Sequence, residues 1–321
     1  MHVSDYANSA FHLGELQAQQ QAGALEQMAA IGPRVIRDFM PQQHREFFAQ
    51  LPFLVVGSQD GSGQPWASIL VGAAGFIASP QERQLTVAAL PQATDPLHAN
   101  LRQGTALGLL GIAPHTRRRN RANGMVSVLR EDGMVIDIQQ SFGNCPKYIQ
   151  ARQAEWIDRG SQSALAIENT AALSTAMQAL IASADTFFIA TSLGSDANAL
   201  TGAHGVDVSH RGGKPGFVRI DGDRHLTVPD FVGNSFFNTI GNLLVHPRAG
   251  LLFVDFDNGD LLYLAVTAEV IWRGPQVDGF AGAQRLLRLQ VTQARLVRAV
   301  LPLRWSAPAL SPFLQPMGSW G

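Results

Sequence analysis

From residue 53 onward the chain alternates short apolar runs with glycine-containing polar turns. Phe53-Leu54-Val55-Val56 reads as a strand, Gln59-Asp60-Gly61-Ser62-Gly63 as a turn, and Trp66 to Val71 as a second strand. Leu85 to Ala89, Thr105 to Ile112, Gly124 to Leu129 and Val135 to Gln139 continue the strand series. Among them, Asp95 to Gln103 predicts a helix, with Asp95 as N-cap and Gly104 as terminator. Upstream the pattern differs. Leu13 to Ala29, rich in Ala, Gln, Leu and Glu, predicts a helix closed by Gly32-Pro33, and Pro41 to Gln50 predicts a second short one.

The pattern then recurs. Gln84-Leu85-Thr86-Val87, Asn100-Leu101 and Gly108-Leu109-Leu110 return as His225-Leu226-Thr227-Val228, Asn242-Leu243 and Gly250-Leu251-Leu252. The offset is 141 residues at the first signpost and 142 at the other two. Apolar positions persist while polar ones diverge, which points to a duplicated module with a shared scaffold. The second copy predicts strands at Thr186 to Ser192, Gly216 to Ile220, His225 to Val228, Gly250 to Phe256 and Leu261 to Ile271, and a helix from Asn234 to Val245. Asp257-Asn258-Gly259-Asp260 is a hairpin turn, since Asn-Gly supplies positive φ. The copies differ in loops at Gly72 to Arg83 and Gly194 to Val206, and Pro146 to Ala182 reads as mostly helical. The expected organisation is an N-terminal helical extension (1–40), a first repeat (41–145), a helical connector (146–182), a second repeat (183–305) and a C-terminal tail (306–321). Short antiparallel strands with one helix per module predict a mainly β chain with flanking helices, built as a pair of small barrels.

Composition narrows the partners. At 321 residues the chain can bury a large core, and with 15% charged residues and a net charge of −1 it offers no general attraction for nucleic acid or an anionic membrane. No apolar run approaches the roughly 18 residues of a membrane span. The Gln-rich start lacks a basic n-region and apolar h-region, so the expected compartment is the cytoplasm. A single cysteine, Cys145, excludes an intramolecular disulfide and a multi-cysteine metal site.

Four segments carry candidate chemistry. Ser209-His210-Arg211-Gly212-Gly213-Lys214-Pro215-Gly216-Phe217-Val218-Arg219 reads as a glycine-rich polar turn entering a strand. Its glycines admit a flat ligand, and His210, Arg211 and Arg219 offer donors to an anion; a solvated hairpin tip is the alternative. Asn234, Asn238 and Asn242 lie four apart beside Ser235 and Thr239, so on a helix they share one face and suit a phosphate at its N-terminus; capping plus one buried amide is the alternative. The first copy has Asp95-Pro96-Leu97-His98-Ala99-Asn100 instead, with an acid that repels phosphate, which favours the second copy as the binding one. In Thr116-Arg117-Arg118-Arg119-Asn120-Arg121, a strand would project Arg119 and Arg121 together with Asn120 opposite; a solvated arm is the alternative. Ser141 to Ile149 reads as a turn leading into a helix, and Cys145 sits just before that helix, where the N-terminal partial charges would favour a thiolate, although packing is the commoner role. Gly-x-Ser-x-Gly, His-x-x-x-His and dinucleotide glycine fingerprints are absent, which disfavours triad hydrolysis, zinc chemistry and Rossmann binding.

The order of the Lys-Pro-Gly-Phe-Val-Arg strand, the Leu-Thr-Val strand, the Asn-rich helix and His246-Pro247-Arg248-Ala249-Gly250-Leu251-Leu252-Phe253 resembles the pyridoxamine 5′-phosphate oxidase-like flavoproteins. More closely, it is similar to the subgroup of predicted flavin-nucleotide-binding proteins. Thr116 through Gly124 and Gln140-Ser141-Phe142-Gly143-Asn144-Cys145-Pro146-Lys147-Tyr148-Ile149 look like signatures of that subgroup, and the resemblance spans roughly residues 40–305. It implies tandem FMN-binding split β-barrels, with FMN between the two repeats. By this resemblance the second repeat supplies the phosphate helix (Asn234, Ser235, Asn238, Thr239, Asn242) and the strand beside the ring (Ser209, His210, Arg211, Gly216, Phe217, Val218, Arg219). Arg119, Asn120 and Arg121 would close the site from the first repeat, and Arg304 resembles an arginine of the family's C-terminal strand. The family's Ser-Arg-Lys phosphate run is Phe237-Asn238-Thr239 here, and the substrate Arg and His pattern is not evident, so vitamin B6 oxidation is not implied.

The resemblance therefore implies an FMN-dependent oxidoreductase of unspecified substrate, with a reductase or free NAD(P)H as electron donor and a homodimer as an option. A flavin carrier or sensor without turnover is the alternative. A more remote one is haem binding through His210, His225 or His246. No catalytic residue and no metal ligand is assigned.

Overall fold

A computed structural model of the chain describes residues 9–159, 166–194 and 205–320. Three helices open it: α1 (Leu13–Gln21), α2 (Leu25–Val35) and α3 (Gln42–Ala49). The expected single helix to Ala29 is broken at Gly23, whose φ of 71° ends α1. The expected stop at Gly32-Pro33 is overridden, because α2 runs through both residues. Gly32 is needed there by packing, since a Cβ would lie 2.5 Å from the Phe11 ring.

The first sheet comprises β1 (Phe53–Gln59), β2 (Pro65–Val71), β3 (Ile77–Ala78), β4 (Gln84–Val87), β5 (Ala106–Ala113), β6 (Arg118–Arg130) and β7 (Gly133–Gly143), with α4 (Pro96–Asn100) between β4 and β5. After a connector of β8 (Ala154–Trp156), β9 (Ile167–Thr170) and α5 (Thr175–Ser183) comes the second sheet. It holds β10 (Thr186–Ser192), β11 (Val206–Gly212), β12 (Arg219–Ile220), β13 (His225–Phe231), β14 (Arg248–Val254), β15 (Leu261–Ile271) and β16 (Ala283–Val297). The helix α6 (Asn238–Val245) lies between β13 and β14, α7 (Pro275–Asp278) precedes β16, and β17 (Leu303–Trp305) follows it.

The first sheet is ordered β2-β1-β5-β6-β7-β4-β3 and the second β11-β10-β14-β15-β16-β13-β12. Element for element, these are the same path. The described chain is mainly β with flanking helices.

Three expectations are corrected by this topology. Ser209 to Gly212 is strand, not turn, because β11 pairs with β10 over seven residues. Its polar sequence hides the pattern: Val206, Val208 and His210 are buried, while Asp207, Ser209 and Arg211 alternate with them half-buried. The connector is not mostly helical, since β9 extends the second sheet beside β16 and β8 pairs with β17. The strand β16, absent from the sequence reading, is the longest described strand at 15 residues. The expected Gly194 to Val206 excursion lies largely outside the described residues.

Each sheet wraps its own core. Leu54, Val56, Leu107 and Leu109 face the first interior, and Phe187, Ile189, Leu251 and Phe253 face the second. The alternate residues Val55, Leu110 and Ile112 meet Phe188, Ala190 and Leu252 in a third cluster between the sheets. These strands are buried on both faces, which explains their continuous apolar runs. Each fully buried side chain of this size contributes about 1.5–3 kcal/mol. Two equivalent glycines permit the approach: a Cβ on Gly108 would lie 2.3 Å from the Val206 carbonyl oxygen, and one on Gly250 would lie 2.3 Å from that of Pro65. The contact is therefore reciprocal between the halves.

Candidate functional site

A cavity of about 240 Å³ opens where the edge of the first barrel meets β11, the end of β13 and the start of α6. A smaller one of about 60 Å³ adjoins it, sharing Arg119, Cys145, His210, Arg211 and Phe231. Period-two geometry on β6 sends Arg119 and Arg121 into this cleft together, as the sequence predicts.

Arg121 is the largest fully buried side chain among the described residues. Its Nη1 pairs with Asp207 Oδ1 at 2.8 Å, and its Nη2 donates to the Val208 carbonyl at 2.9 Å and to Ser209 Oγ at 2.5 Å. Its Nε has no hydrogen-bond partner among the described residues. Arg119 donates through Nε to the Cys145 carbonyl at 2.7 Å and lies 3.3 Å from both His210 Nδ1 and the His210 carbonyl. Among the described residues no carboxylate pairs with Arg119. Burial pulls its guanidinium down to about 10, which leaves it charged at neutral pH.

His210 is held neutral: burial first, then Arg119, Arg211 and Arg152, push its pKa well below the usual range. Arg119 can only donate, so Nδ1 accepts and Nε2 carries the proton. That Nε2 has no hydrogen-bond partner among the described residues. In this tautomer Nε2 is a donor facing the cleft. His225 is exposed and His246 faces Ser192, so neither joins it.

At the far side Asp230 is shared by two arginines. Arg211 Nη1 pairs with Oδ1, while Arg285 Nε stands 3.5 Å from Oδ2. The Arg285 guanidinium lies 4.8 Å from the Phe237 and Trp272 rings, and its Nε and Nη1 lack hydrogen-bond partners. Burial lowers its pKa, with Asp230 opposing and Arg211 adding to the shift. Four guanidinium groups thus face two carboxylates, Asp207 and Asp230. A buried cation without a counterion is costly, so this arrangement suits an anionic ligand.

The Asn ladder is corrected. The helix α6 starts at Asn238, and its N-cap Phe237 is left-handed at φ 62° with no side-chain cap. Asn234 therefore lies before the helix, where its Oδ1 accepts from the Phe236 amide. Asn238 donates to Glu15 of α1, and Asn242 is buried, donating to Thr191 and Asp207. Asn234, Ser235, Asn238 and Thr239 still line the cleft, as do Ser209, His210 and Arg211.

Other expected residues lie elsewhere. Gly216 forms the turn at φ 83°, and Val218 sits in the second core. Phe217 is in that core too, stacked on Phe187, and only edges the smaller cavity. Arg219 turns away to Asp221 at 2.7 Å, because its two-residue strand lies at the sheet edge. Asn120 points to the opposite face of β6 from Arg119, and Arg304 is exposed on β17 at 3.7 Å from Glu155. Conversely, Asp230, Phe237 and Arg285 were missed as site residues. Arg285 gave no signal because β16 itself went unread.

The N-terminal extension completes the wall. Helix α1 packs on α6 through Gly14, where a Cβ would lie 2.2 Å from the Gly241 carbonyl oxygen, and Ala22 reaches the cleft. Glu15 Oε1 accepts from Asn238 and Oε2 from the His12 amide at 3.0 Å. Burial, reinforced by Asp207, pushes the Glu15 carboxyl up to about 8.

Comparison with known proteins places this architecture. Residues 40–171, covering the first barrel, match the family model described as pyridoxamine 5′-phosphate oxidase. This match supports a relationship of the first barrel to the pyridoxamine 5′-phosphate oxidase-like family. The mainly β layout with flanking helices is consistent with that family's split barrel, and the second sheet follows the same strand path as the first. Solved structures similar to this chain include a candidate pyridoxamine 5′-phosphate oxidase from Lactobacillus delbrueckii, at 14% identity and TM-score 0.30, over 39% of this chain and 94% of that one. Another is a single-substitution variant of HupZ from Group A Streptococcus, at 16% identity and TM-score 0.28, over 37% of this chain and 94% of that one. The MrkH–c-di-GMP complex of K. pneumonia aligns at 10% identity and TM-score 0.23, over 78% and 81% of the two chains. No curated protein matches the sequence. Among the described residues, no helix is long and apolar enough to cross a membrane, and no three His, Cys, Asp or Glu side chains gather as metal ligands.

Proposed function

We propose that the protein is an FMN-binding flavoprotein with oxidoreductase activity, holding one flavin between its two barrels. The observation that carries this reading is the cluster of buried, under-paired guanidinium groups beside a helix start with no side-chain cap. Arg121, Ser209, Thr239 and the first turn of α6 would hold the phosphate. Arg119 and the protonated Nε2 of His210 would donate to acceptor atoms of the ring system. Bound flavin supplies hydride and electron transfer, while these residues orient it and bias its charge. The half-buried Asn144–Cys145 turn and Gly233 leave the cleft open on one side for a second reactant.

The test is an absorbance spectrum of the purified protein, before and after FMN and then NADPH. Flavin bands that bleach with NADPH support an oxidoreductase fed by free reduced nucleotide. Bands that persist favour a carrier, or a donor that is a separate reductase. No uptake of FMN overturns the reading.

A further inference from the structure

The turn that carries Cys145 is fixed more firmly than the open edge of a cleft requires. The Asn144 amide donates to the Arg119 carbonyl at 3.1 Å, and Arg119 Nε returns a bond to the Cys145 carbonyl at 2.7 Å. This reciprocal pair holds the half-buried Cys145 in the wall common to the larger and smaller cavities. Its sulfur is within electrostatic reach of the Arg119 guanidinium, on which it acts against burial.

The groups around the thiol point to a ligand. His210 is 5% exposed and lines both cavities, and its protonated Nε2 has no hydrogen-bond partner among the described residues. On the larger-cavity side of the same turn, Asn144 Oδ1 is a buried acceptor that also lacks a partner. Buried donors and acceptors are costly to leave unmade, so both atoms suit a molecule brought in from outside. Arg119, Lys147 and Arg211 line the smaller cavity, and among the described residues no carboxylate does. At about 60 Å³ that cavity is far below the roughly 300–1,000 Å³ of an ordinary cofactor pocket, and it admits a molecule of only a few heavy atoms.

We propose that Cys145 is a peroxide-reactive thiol, taking a small hydroperoxide in the smaller cavity and passing to the sulfenic acid. A hydroperoxide both accepts and donates, so it answers His210 Nε2 with one oxygen and Asn144 Oδ1 with an O–H. The Cys145 thiolate, its proton released to solvent, attacks the nearer oxygen. An S–O bond forms as the O–O bond breaks, and the sulfur gives two electrons to the peroxide. The farther oxygen leaves as hydroxide and takes a proton back from solvent to become water. Arg119 and His210 donate to that oxygen as its charge develops, and His210 stays neutral throughout. Cys145 is the only cysteine, so the sulfenic acid has no second thiol in the chain and persists until an external thiol reduces it. None of this depends on flavin being the ligand of the larger cavity.

The test compares the same thiol with and without its surroundings, with no flavin added. Hydrogen peroxide is the probe, dimedone traps the sulfenic acid, and intact mass counts the adduct. Iodoacetamide, which has no O–O bond to break, gives a parallel alkylation rate. Both rates are measured on the folded chain and on the chain unfolded in urea. Folding should raise the peroxide rate on the order of 100-fold and should not raise the iodoacetamide rate. His210→Phe keeps a ring at that position and removes the donor; it should lose most of the peroxide gain and leave alkylation unchanged. A peroxide rate no faster in the folded chain would overturn the proposal. So would folding that raises both rates alike, since the thiol would then be merely a good nucleophile. The wild-type comparison decides the matter even where the variant fails to fold. FMN uptake is read separately, so failure of the flavin reading leaves this result standing, and the reverse holds.

Discussion

Replacing Glu15 by Gln should change how stability depends on pH. In the folded protein its carboxyl is raised from 4.5 to about 8, first by burial and then by Asp207, against the His12 amide, Asn238 and Arg121. Between these values the unfolded chain has released the proton that the folded chain retains. Stability therefore falls as pH rises through that window, by about 1.4 kcal/mol per pH unit from this group. Across the whole interval the loss approaches roughly 5 kcal/mol as an upper bound, and outside it the contribution is flat. Glutamine keeps an acceptor for Asn238 and carries no titrating proton. One of its two contacts is weakened, which costs about 1 kcal/mol at every pH. The variant should be slightly less stable than wild type at pH 5 and more stable at pH 9. Urea unfolding at unit pH steps, read by the intrinsic fluorescence of the five tryptophans, measures both curves. If the two curves run parallel from pH 5 to 9, Glu15 does not hold its proton in the folded state and the reasoning fails.

Two further outcomes follow from packing. Gly250→Ala and Gly108→Ala each force a methyl against a carbonyl 2.3 Å away across the barrel contact, and should cost about 1–3 kcal/mol in the same assay. Gly61→Ala, with open space around it, should stay within about 0.5 kcal/mol; equal effects at all three sites would refute the close approach. Asp185→Asn removes the buried partner of Arg152, 2.5 Å away, and should destabilise by about 3–5 kcal/mol. A loss below about 1 kcal/mol would show that the pair is solvated in solution.

Where the apolar period was clean, the fold could be read from the chain. Residues Thr186–Ser192 and Leu261–Ile271 form strands with the predicted bounds, and Asp95 caps α4 as expected. The misreadings share a cause. In β11 and β16 polar or charged residues occupy alternate positions, and only pairing with neighbours distant in sequence makes them strands. The cleft followed the same division. Arg119 and Arg121 were legible from strand alternation, whereas Asn242 was assigned to a ligand face and instead satisfies Thr191 and Asp207. A spacing of four is the same for a binding face and for a buried hydrogen bond. Only the start of the helix, set by the left-handed Ser235 and Phe237, separates the two.

The reciprocal glycine contact has a kinetic consequence. Both walls of the cleft belong to one polypeptide, so their meeting is a unimolecular event governed by tether length, with an effective concentration on the order of millimolar. Dilution cannot separate Arg121 from Ser209. A cleft assembled from two separate chains would empty as its protomers part. Here the donor array persists at any protein concentration at which the chain stays folded, and either wall is free to acquire substitutions that its counterpart need not copy.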